Sequence, residues 1–292
     1  MSGMQPHFAF ETSRHPSAAH LADTAVWALV QEAELTPKPA LVDGRGCGVH
    51  PDLSLYLMRR SAHALHAGFY AMGVAAAGRV PDRPLREELA AIGREAECEM
   101  MLATGGANAH RGAIWALGLL LAAVAMDPDG RIDDIAARAA ELARLPDRFI
   151  PTAPSHGQSV AQRYGVSGAR GEAQAGFPHA LKVCLPALRH ARGAGISEYQ
   201  ARLDALLSVV AVLDDTCLLH RGGPPALHAA QIGAHAVLAV GGSSTPAGAA
   251  ALAELDAALT ALNASPGGAA DMLAAALFID AVHGAALPRE TR

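Results

Sequence analysis

The sequence has few aromatic residues, few lysines and few cysteines, and each shortage excludes a class of protein. Of its 292 residues, 4% are aromatic and 17% are charged, and only two of the 23 basic residues are lysine. The β-branched and aromatic runs that build strands are scarce, which argues against a β-sandwich. The net charge of −5 gives no electrostatic footprint for nucleic acid, so no nucleic-acid partner is predicted.

The four cysteines lie far apart and form no CxxC pair, which argues against a disulfide scaffold and a zinc ribbon. No signal-peptide pattern is seen at the start. The apolar stretch 113–126 is shorter than the ~20 residues that a membrane span needs. We therefore expect a soluble protein with no membrane partner, located in the reducing cytoplasm.

Alanine is what the sequence has in excess, with 66 residues. Alanine is the strongest helix former. Apolar segments with helical periodicity alternate with breaks rich in proline and glycine, and no repeat or long linker divides them. The sequence predicts an all-α fold, with a flexible arm over residues 1–16 and a single domain of about ten helices over 17–292. Polar, glycine-rich loops between the helices are expected to form the site.

The helix boundaries follow from the same punctuation. Proline and glycine end helices, while serine, threonine, aspartate and asparagine begin them. Asp52 is therefore expected to cap one long helix. The predicted helices are 17–33, 52–77, 84–103, 112–126, 132–144, 172–192, 197–219, 224–240, 247–263 and 269–286.

The loop after the first helix contains three carboxylates and a histidine within nineteen residues. They are Glu34, Asp43, His50 and Asp52, with Lys38 among them. Carboxylates at this density can bind Mg²⁺ together with water and substrate phosphates. A solvated loop that ends in a helix cap is the alternative interpretation.

The segment ATGGANAHRG, residues 103–112, separates two helices. Its Thr-Gly-Gly can form a backbone nest that donates N–H groups to a phosphate. The helix that follows adds the positive end of its dipole, and Arg111 adds a charge. An ordinary helix–helix turn is the alternative, although such a turn does not need Asn108, His110 and Arg111 together.

Three further segments place charged residues beside glycines or in apolar surroundings. Arg170 and Glu172 flank Gly171, where they suggest either a phosphate contact or a surface ion pair. Asp214 and Asp215 are expected inside or at the end of an apolar helix, where an unpaired carboxylate pair is costly and demands a cation. Asp271 lies in the first turn of the last predicted helix.

Six segments, in their order along the chain, resemble the triphosphoribosyl-dephospho-CoA synthase family, which makes the prosthetic-group precursor of citrate lyase and malonate decarboxylase. They read ELTPKPALVD, GVHPDL, LREELAAIGREAECEMMLATGGANAHRGAIWALGLL, GARGEAQAGFP, DDTCLLHRGG and SPGGAADMLAAALF. The chain departs from the family pattern in three places. The family has PKPG where Ala40 stands, TGGVNTHKG where this chain has TGGANAHRG, and DTN where Cys217 stands. Residues 57–72 and 114–123 look closest to the malonate decarboxylase branch.

The resemblance implies a transferase that moves the 5-triphosphoribosyl group of ATP to the 2′-hydroxyl of 3′-dephospho-CoA and releases adenine. Such glycosyl transfer has an oxocarbenium-like transition state. ATP and 3′-dephospho-CoA are then the substrates and Mg²⁺ the cofactor. A further transferase would load the product onto an acyl carrier protein. The alanine-rich helix faces are also compatible with a homodimer.

The resemblance assigns the polar residues of these segments to four roles. The expected catalytic residues are Glu172, His50 and Asp43; the expected substrate contacts are Lys38, Thr104, Gly105, Gly106, Asn108, His110, Arg111, Arg170 and Arg221; the expected Mg²⁺ ligands are Glu34, Asp43, Asp52 and Asp215; and Asp214 and Asp271 are expected to support them.

Two other classes of function remain open from the residues themselves. A metal-dependent all-α hydrolase of an ADP-ribose-like bond would use scattered carboxylates in the same way, and it would release its product without an acceptor. A non-catalytic helical adaptor would use the alanine-rich faces for assembly, but it leaves the polar loops unexplained.

Overall fold

The structure, a computed structural model, describes residues 16–150 and 155–284, and within these ranges it contains helices but no β-strand. The all-α prediction is confirmed. The expected arm over residues 1–16 lies outside the described residues except for Pro16. The α-helices are α1 (Ala18–Glu34), α2 (Leu55–Ala64), α3 (His66–Ala76), α4 (Arg83–Thr104), α5 (Arg111–Met126), α6 (Ile132–Arg144), α7 (His156–Tyr164), α8 (Gly168–Gln174), α9 (Leu185–Gly193), α10 (Glu198–Val210), α11 (Thr216–Ala239), α12 (Pro246–Ala261) and α13 (Gly267–His283).

Two helices, α5 and α13, are buried along most of their length. Their sequences are apolar on all sides, which is typical of a helix that other helices enclose. They contact each other, and α1, α3, α4 and α6 surround α5. The first turns of the two helices lie against each other, where Gly112 of α5 approaches Asp271 of α13.

Small side chains let the surrounding helices approach closely. A Cβ atom at Gly68 of α3 would lie 2.7 Å from the Cβ of Ala96 in α4, a distance that real Cβ atoms do not adopt. The excess of alanine and glycine in the sequence is therefore used for helix packing. One large hydrophobic cluster extends from Leu21 to Ile279 and draws on helices from both ends of the described chain, as a single domain requires.

Three of the predicted helices are wrong, and two of them are corrected first. The long helix expected over 52–77 is two helices, and Ser54 caps the first of them because its hydroxyl accepts from the backbone of Leu57 at 3.3 Å. Asp52 is not the cap. The helix expected over 197–219 ends at Val210, so Asp214 and Asp215 precede α11 instead of lying inside a helix.

The helix expected over 172–192 is broken as well. Phe177 has a positive φ of 56°, which ends α8 and its following turn. A π-helical turn, His179–Cys184, then leads into α9. π-Helical turns occur often at functional sites, and this one follows directly on the segment that contains Glu172.

Within the described ranges, no helix is both long enough and apolar enough to span a membrane.

Candidate active site

Lys38 is buried in the loop after α1, with 1% of its surface exposed. Its ammonium donates to the backbone carbonyl of Glu32 at 2.7 Å and to the Glu32 carboxylate Oε1 at 2.5 Å. Charges that leave water lose hydration energy, so a buried pair needs close contacts of this kind to persist. The sequence analysis selected Lys38 and missed Glu32. A signal existed, because Glu32 interrupts the apolar stripe of α1.

Asp43 organises the same loop. Its carboxylate accepts from the backbone N–H of Lys38 at 2.8 Å and of Arg45 at 2.7 Å, and from the Arg45 guanidinium. Arg45 also binds Asp256 of α12 at 2.7 Å, and Asp256 accepts from the backbone of Ala40. These contacts attach the loop to α12, and sequence reasoning found neither Arg45 nor Asp256.

The four predicted Mg²⁺ ligands are not brought together. Glu34 forms an ion pair with Arg59 at 2.7 Å, Asp52 is exposed, and the oxygens of Asp43 accept from the loop. Asp215 lies elsewhere, at the start of α11. Among the described residues, no group of three or more histidine, cysteine, aspartate or glutamate side chains is placed to hold a metal ion.

Asp271 lies where α13 and α5 meet at their first turns. A Cβ atom at Gly112 of α5 would lie 2.0 Å from its Oδ2, so only glycine allows this approach. Burial raises the pKa of Asp271 well above its usual value, and the negative charges of Glu32 and Asp215 raise it further. The raised pKa favours the protonated form of this carboxyl group, which is the form that can donate a proton.

Asp215 joins the starts of two helices. Its Oδ1 accepts from the backbone N–H of Cys217 at 2.7 Å, which caps α11, and its Oδ2 accepts from Ala269 of α13 at 3.0 Å. Burial raises its pKa, while these backbone hydrogen bonds oppose the rise. Gly268 lets α13 approach this carboxylate closely, since a Cβ atom there would lie 3.0 Å from Oδ1.

His50 is neutral and hydrogen-bonded at both ring nitrogens. Arg221 donates to Nδ1 at 2.9 Å, so the proton is on Nε2, which lies 2.8 Å from the Ser265 hydroxyl. Burial and the positive charge of Arg221 lower the pKa of His50 to about 4, while Asp52 opposes the shift. The predicted substrate contact Arg221 therefore positions His50 in the free protein.

The expected backbone nest at residues 104–106 does not form. The N–H groups of Gly105 and Gly106 donate to the carbonyls of Leu102 and Met101, which ends α4. Both glycines have positive φ, and this allows the chain to turn. The Thr104 hydroxyl lies 2.5 Å from the Ala107 carbonyl and closes the same turn.

The second half of this loop prepares the start of α5. Asn108 accepts from the backbone N–H of Arg111 at 3.2 Å, and Arg111 forms an ion pair with Glu97 of α4. His110 is buried, and its Nδ1 lies 2.6 Å from the hydroxyl of Ser61. Burial lowers the pKa of His110 to about 3, with a further effect from the charge of Lys38. His110 is therefore neutral, and the α5 start lies within electrostatic reach of Lys38.

Glu172 binds a histidine that sequence reasoning missed. Its Oε1 accepts from the backbone N–H of His179 at 2.8 Å, and its Oε2 accepts from His179 Nδ1 at 2.7 Å. Glu172 is buried, whereas a quarter of the His179 side chain is exposed. The hydrogen bond from Glu172 raises the pKa of His179 against the effect of burial, and the charge of exposed Asp214 raises it further.

This pair has the arrangement of a carboxylate-oriented general base. The carboxylate fixes the proton on Nδ1 and leaves Nε2 of the neutral ring available to accept a proton. The predicted base Glu172 is therefore buried behind His179, and His179 is the member of the pair that is exposed to solvent. The signal in the sequence was the histidine seven residues after Glu172, in GEAQAGFPH.

A cavity of about 610 Å³ lies on the other side of the loop that carries Lys38. Pro37, Pro39 and Arg45 form its wall on the loop side, and residues of α10, of α12 and of the loop before α12 form the remainder. The lining is mainly apolar, and it contains neither the residues at the helix starts nor the Glu172–His179 pair.

The fold and these contacts define an all-α protein whose buried polar groups collect where helices begin. The family model of ATP:dephospho-CoA triphosphoribosyl transferase (CitG) matches residues 18–289.

Curated relatives agree with this match over nearly their whole length. The 2-(5''-triphosphoribosyl)-3'-dephosphocoenzyme-A synthase of Klebsiella pneumoniae is 56% identical over 265 residues, which cover 90% of this chain and 95% of that protein. A probable synthase of the same name from Azotobacter vinelandii is 55% identical, over 92% of this chain and 94% of that protein. Another, from Pseudomonas syringae pv. syringae, is 54% identical, over 96% of this chain and 98% of that protein. No solved structure matches the chain. The chain belongs to the ATP:dephospho-CoA triphosphoribosyl transferase family, and it is an enzyme of that kind.

Proposed function

We propose that this enzyme transfers the 5-triphosphoribosyl group of ATP to the 2′-hydroxyl of 3′-dephospho-CoA and releases adenine. The match to relatives named for this product, over nine-tenths of the chain, carries the proposal. In the reaction the bond between ribose C1′ and adenine breaks, and a bond between C1′ and the acceptor oxygen forms. The acceptor hydroxyl loses a proton and adenine gains one.

The Glu172–His179 pair is our candidate for the proton acceptor. Nε2 of neutral His179 takes the proton of the 2′-hydroxyl as the oxygen attacks C1′, and Glu172 stabilises the imidazolium that results. His179 is partly exposed, so a substrate hydroxyl can reach it. His50 is less suited to this role, because both of its ring nitrogens already have partners.

Asp271 is our candidate for the proton donor. Burial and the neighbouring negative charges raise its pKa and so favour the protonated form, which an acid that protonates departing adenine needs. The start of α11 connects the two candidates: Asp215 acts electrostatically on Asp271, and the adjacent Asp214 acts on His179. The first turns of α5 and α13 add the positive ends of two helix dipoles for phosphate.

In this proposal, Mg²⁺ is bound by ATP and not by side chains of the protein. The carboxylates chosen for it from the sequence do not gather in the structure, so no side chain is assigned to the ion and no step depends on it. Mg²⁺ is usually held by phosphate oxygens and water with one or two carboxylates. The triphosphate of ATP offers those oxygens itself.

The product is proposed to be the prosthetic-group precursor of an acyl carrier subunit, loaded by a further transferase. The segments 57–72 and 114–123 favour malonate decarboxylase over citrate lyase as the destination. A homodimer and a cytoplasmic location stay predictions.

The test is incubation with ATP, Mg²⁺ and 3′-dephospho-CoA, followed by chromatography for adenine and mass spectrometry for the enlarged CoA derivative. We expect adenine and the derivative in equal amounts, and no adenine when 3′-dephospho-CoA is omitted. Adenine release without the acceptor would instead support the hydrolase alternative.

A further inference from the structure

Arg86 is a buried cation whose hydrogen bonding is incomplete. It lies in the first turns of α4 with 7% of its surface exposed, and its Nε–H has no hydrogen-bond partner among the described residues. An unpaired polar group in the interior costs stability, and a charged one costs more. A guanidinium cannot escape this cost by losing its proton, because its pKa is too high.

The surroundings of Arg86 add positive charge. Its guanidinium lies 5.0 Å from the centre of the Trp115 ring, and the charges of Arg94 and Arg170 act on it. Asp147 and Glu87 are the acidic neighbours, but Asp147 already forms an ion pair with Arg94 at 2.8 Å, and Glu87 forms ion pairs with Arg83 and Arg148. Five arginines therefore share two carboxylates, and the cluster has an excess of positive charge.

Trp115 connects this cluster to α8, the helix that carries Glu172. Its indole N–H donates to the carbonyl of Ala169 at 3.2 Å, which fixes α8 against α5 beside Arg170. Glu172 follows Arg170 by two residues on the same short helix. An anion bound by these arginines would therefore lie against the same short helix that carries Glu172.

We propose that Arg86, Arg94 and Arg170 form a site for the phosphoanhydride chain of a substrate, either the triphosphate of ATP or the diphosphate of 3′-dephospho-CoA. This inference rests on the proposed function for the identity of the substrate. Guanidinium groups match phosphate oxygens with two parallel N–H donors, and two or three of them neutralise a polyphosphate. A cation–π contact with Trp115 alone leaves the N–H groups of Arg86 unpaired.

The direct test uses tryptophan fluorescence with inorganic tripolyphosphate and pyrophosphate as ligands. The chain has two tryptophans, so the Trp27→Phe background leaves Trp115 as the reporter. In that background we expect tripolyphosphate to change the emission, and Arg86→Gln to raise the Kd by about 10- to 100-fold, as loss of hydrogen bonds to a charged group does. Arg83→Gln is the matched control, since it removes the same charge from an exposed position on α4 and should leave the Kd unchanged.

Stability separates a binding role from a structural one. Arg86→Met removes an unpaired buried charge, so we expect the Tm of the ligand-free protein to stay the same or rise, while tripolyphosphate no longer raises it. A fall in Tm with unchanged tripolyphosphate binding would make Arg86 a structural residue and overturn the proposal.

Steady-state kinetics identify the substrate. A higher KM for ATP alone assigns the site to the triphosphate, and a higher KM for 3′-dephospho-CoA alone assigns it to the diphosphate. Unchanged KM values for both substrates would overturn the proposal, even if inorganic polyphosphate binding were lost. If the wild-type enzyme bound polyphosphate through Arg86 but formed no product, the proposed function would fail and the anion site would stand.

Discussion

Two regions each contain an ionisable side chain that lacks a partner of opposite charge. These side chains are Asp271 at the helix starts and Arg86 beside Trp115, and they respond to burial differently. A carboxyl group can take up a proton, and the raised pKa of Asp271 shows this response. The guanidinium of Arg86 stays charged, so it needs an anion from outside. The first region is therefore suited to donating a proton and the second to binding a ligand.

A third buried group, the pair of Lys38 and Glu32, shows the matched case. Each charge is the partner of the other, and neither needs a proton or a ligand. Removal of one member leaves the other buried without a partner. This pair therefore gives the most direct measurement of how much an unpaired buried charge lowers the free energy of unfolding.

The largest effect on stability is expected for Lys38→Met. It leaves the Glu32 carboxylate unpaired beside Asp271, and the free energy of unfolding should fall by about 3–5 kcal/mol, measured by urea denaturation. The only other lysine, Lys182, is exposed and provides the matched control, with Lys182→Met expected to change stability little. The double variant Glu32→Gln/Lys38→Met should recover most of the loss. No recovery would mean that the pair is not the reason for it.

Asp271→Asn should have the next largest effect, on activity instead of stability. The amide keeps the shape but cannot donate a carboxyl proton to adenine, so kcat/KM should fall by about 10²–10³-fold. The free energy of unfolding should stay the same or increase, because a strained acid is removed. Asp280→Asn on the same helix breaks surface ion pairs and should leave kcat/KM unchanged. Activity of Asp271→Asn within twofold of wild type would exclude the acid role.

His179→Gln tests the opposite end of the proton transfer. Glutamine can still donate to Glu172 but accepts no proton at its other end, so kcat should fall by about 10²-fold with little change in the KM for ATP. His190→Gln, an exposed histidine on the neighbouring α9, is the control. A larger change in KM than in kcat would assign His179 to binding.

The smallest expected effect is a shift in pH dependence. A base must be unprotonated, so the rate should fall as the pH drops below the pKa of His179, which Glu172 raises above the ordinary histidine value of about 6.5. Glu172→Gln removes that effect, and the acidic limb of the kcat profile should move to lower pH by about one unit. If the acidic limb did not move, the titration that causes it would not belong to the Glu172–His179 pair.

The sequence predicted regular helices well where punctuation was strong. The helix expected over 132–144 is observed as Ile132–Arg144, and its first turn contains the aspartates that stabilise a helix start. The errors arose where several residues competed for one local role. Ser54 and Asp52 both suit a helix cap, and tertiary packing decides between them.

The site was predicted less completely, because contacts between distant segments leave little local pattern. Lys38, Asp215, Asp271 and Glu172 were selected from unusual placement in apolar or glycine-rich surroundings. Two partners were missed although each left a signal: Glu32 interrupts the apolar stripe of α1, and His179 follows Glu172 by seven residues. Arg86 was missed as well, because its sequence position resembles that of a surface arginine. The N–H groups of Gly105 and Gly106 end α4 instead of forming a nest, and the sequence could not tell the two apart because both use glycines with positive φ.

Because Asp271 of α13 contacts Gly112 of α5, the pKa of its carboxyl group depends on the distance between these two helices. Separation of α5 from α13 would admit water to the carboxyl group, and its pKa would return toward the ordinary value. A bulky substitution anywhere along this helix pair could therefore weaken proton donation without touching a charged residue. On the proposed acid role of Asp271, the alanines between the two helices are therefore constrained by proton donation as well as by packing.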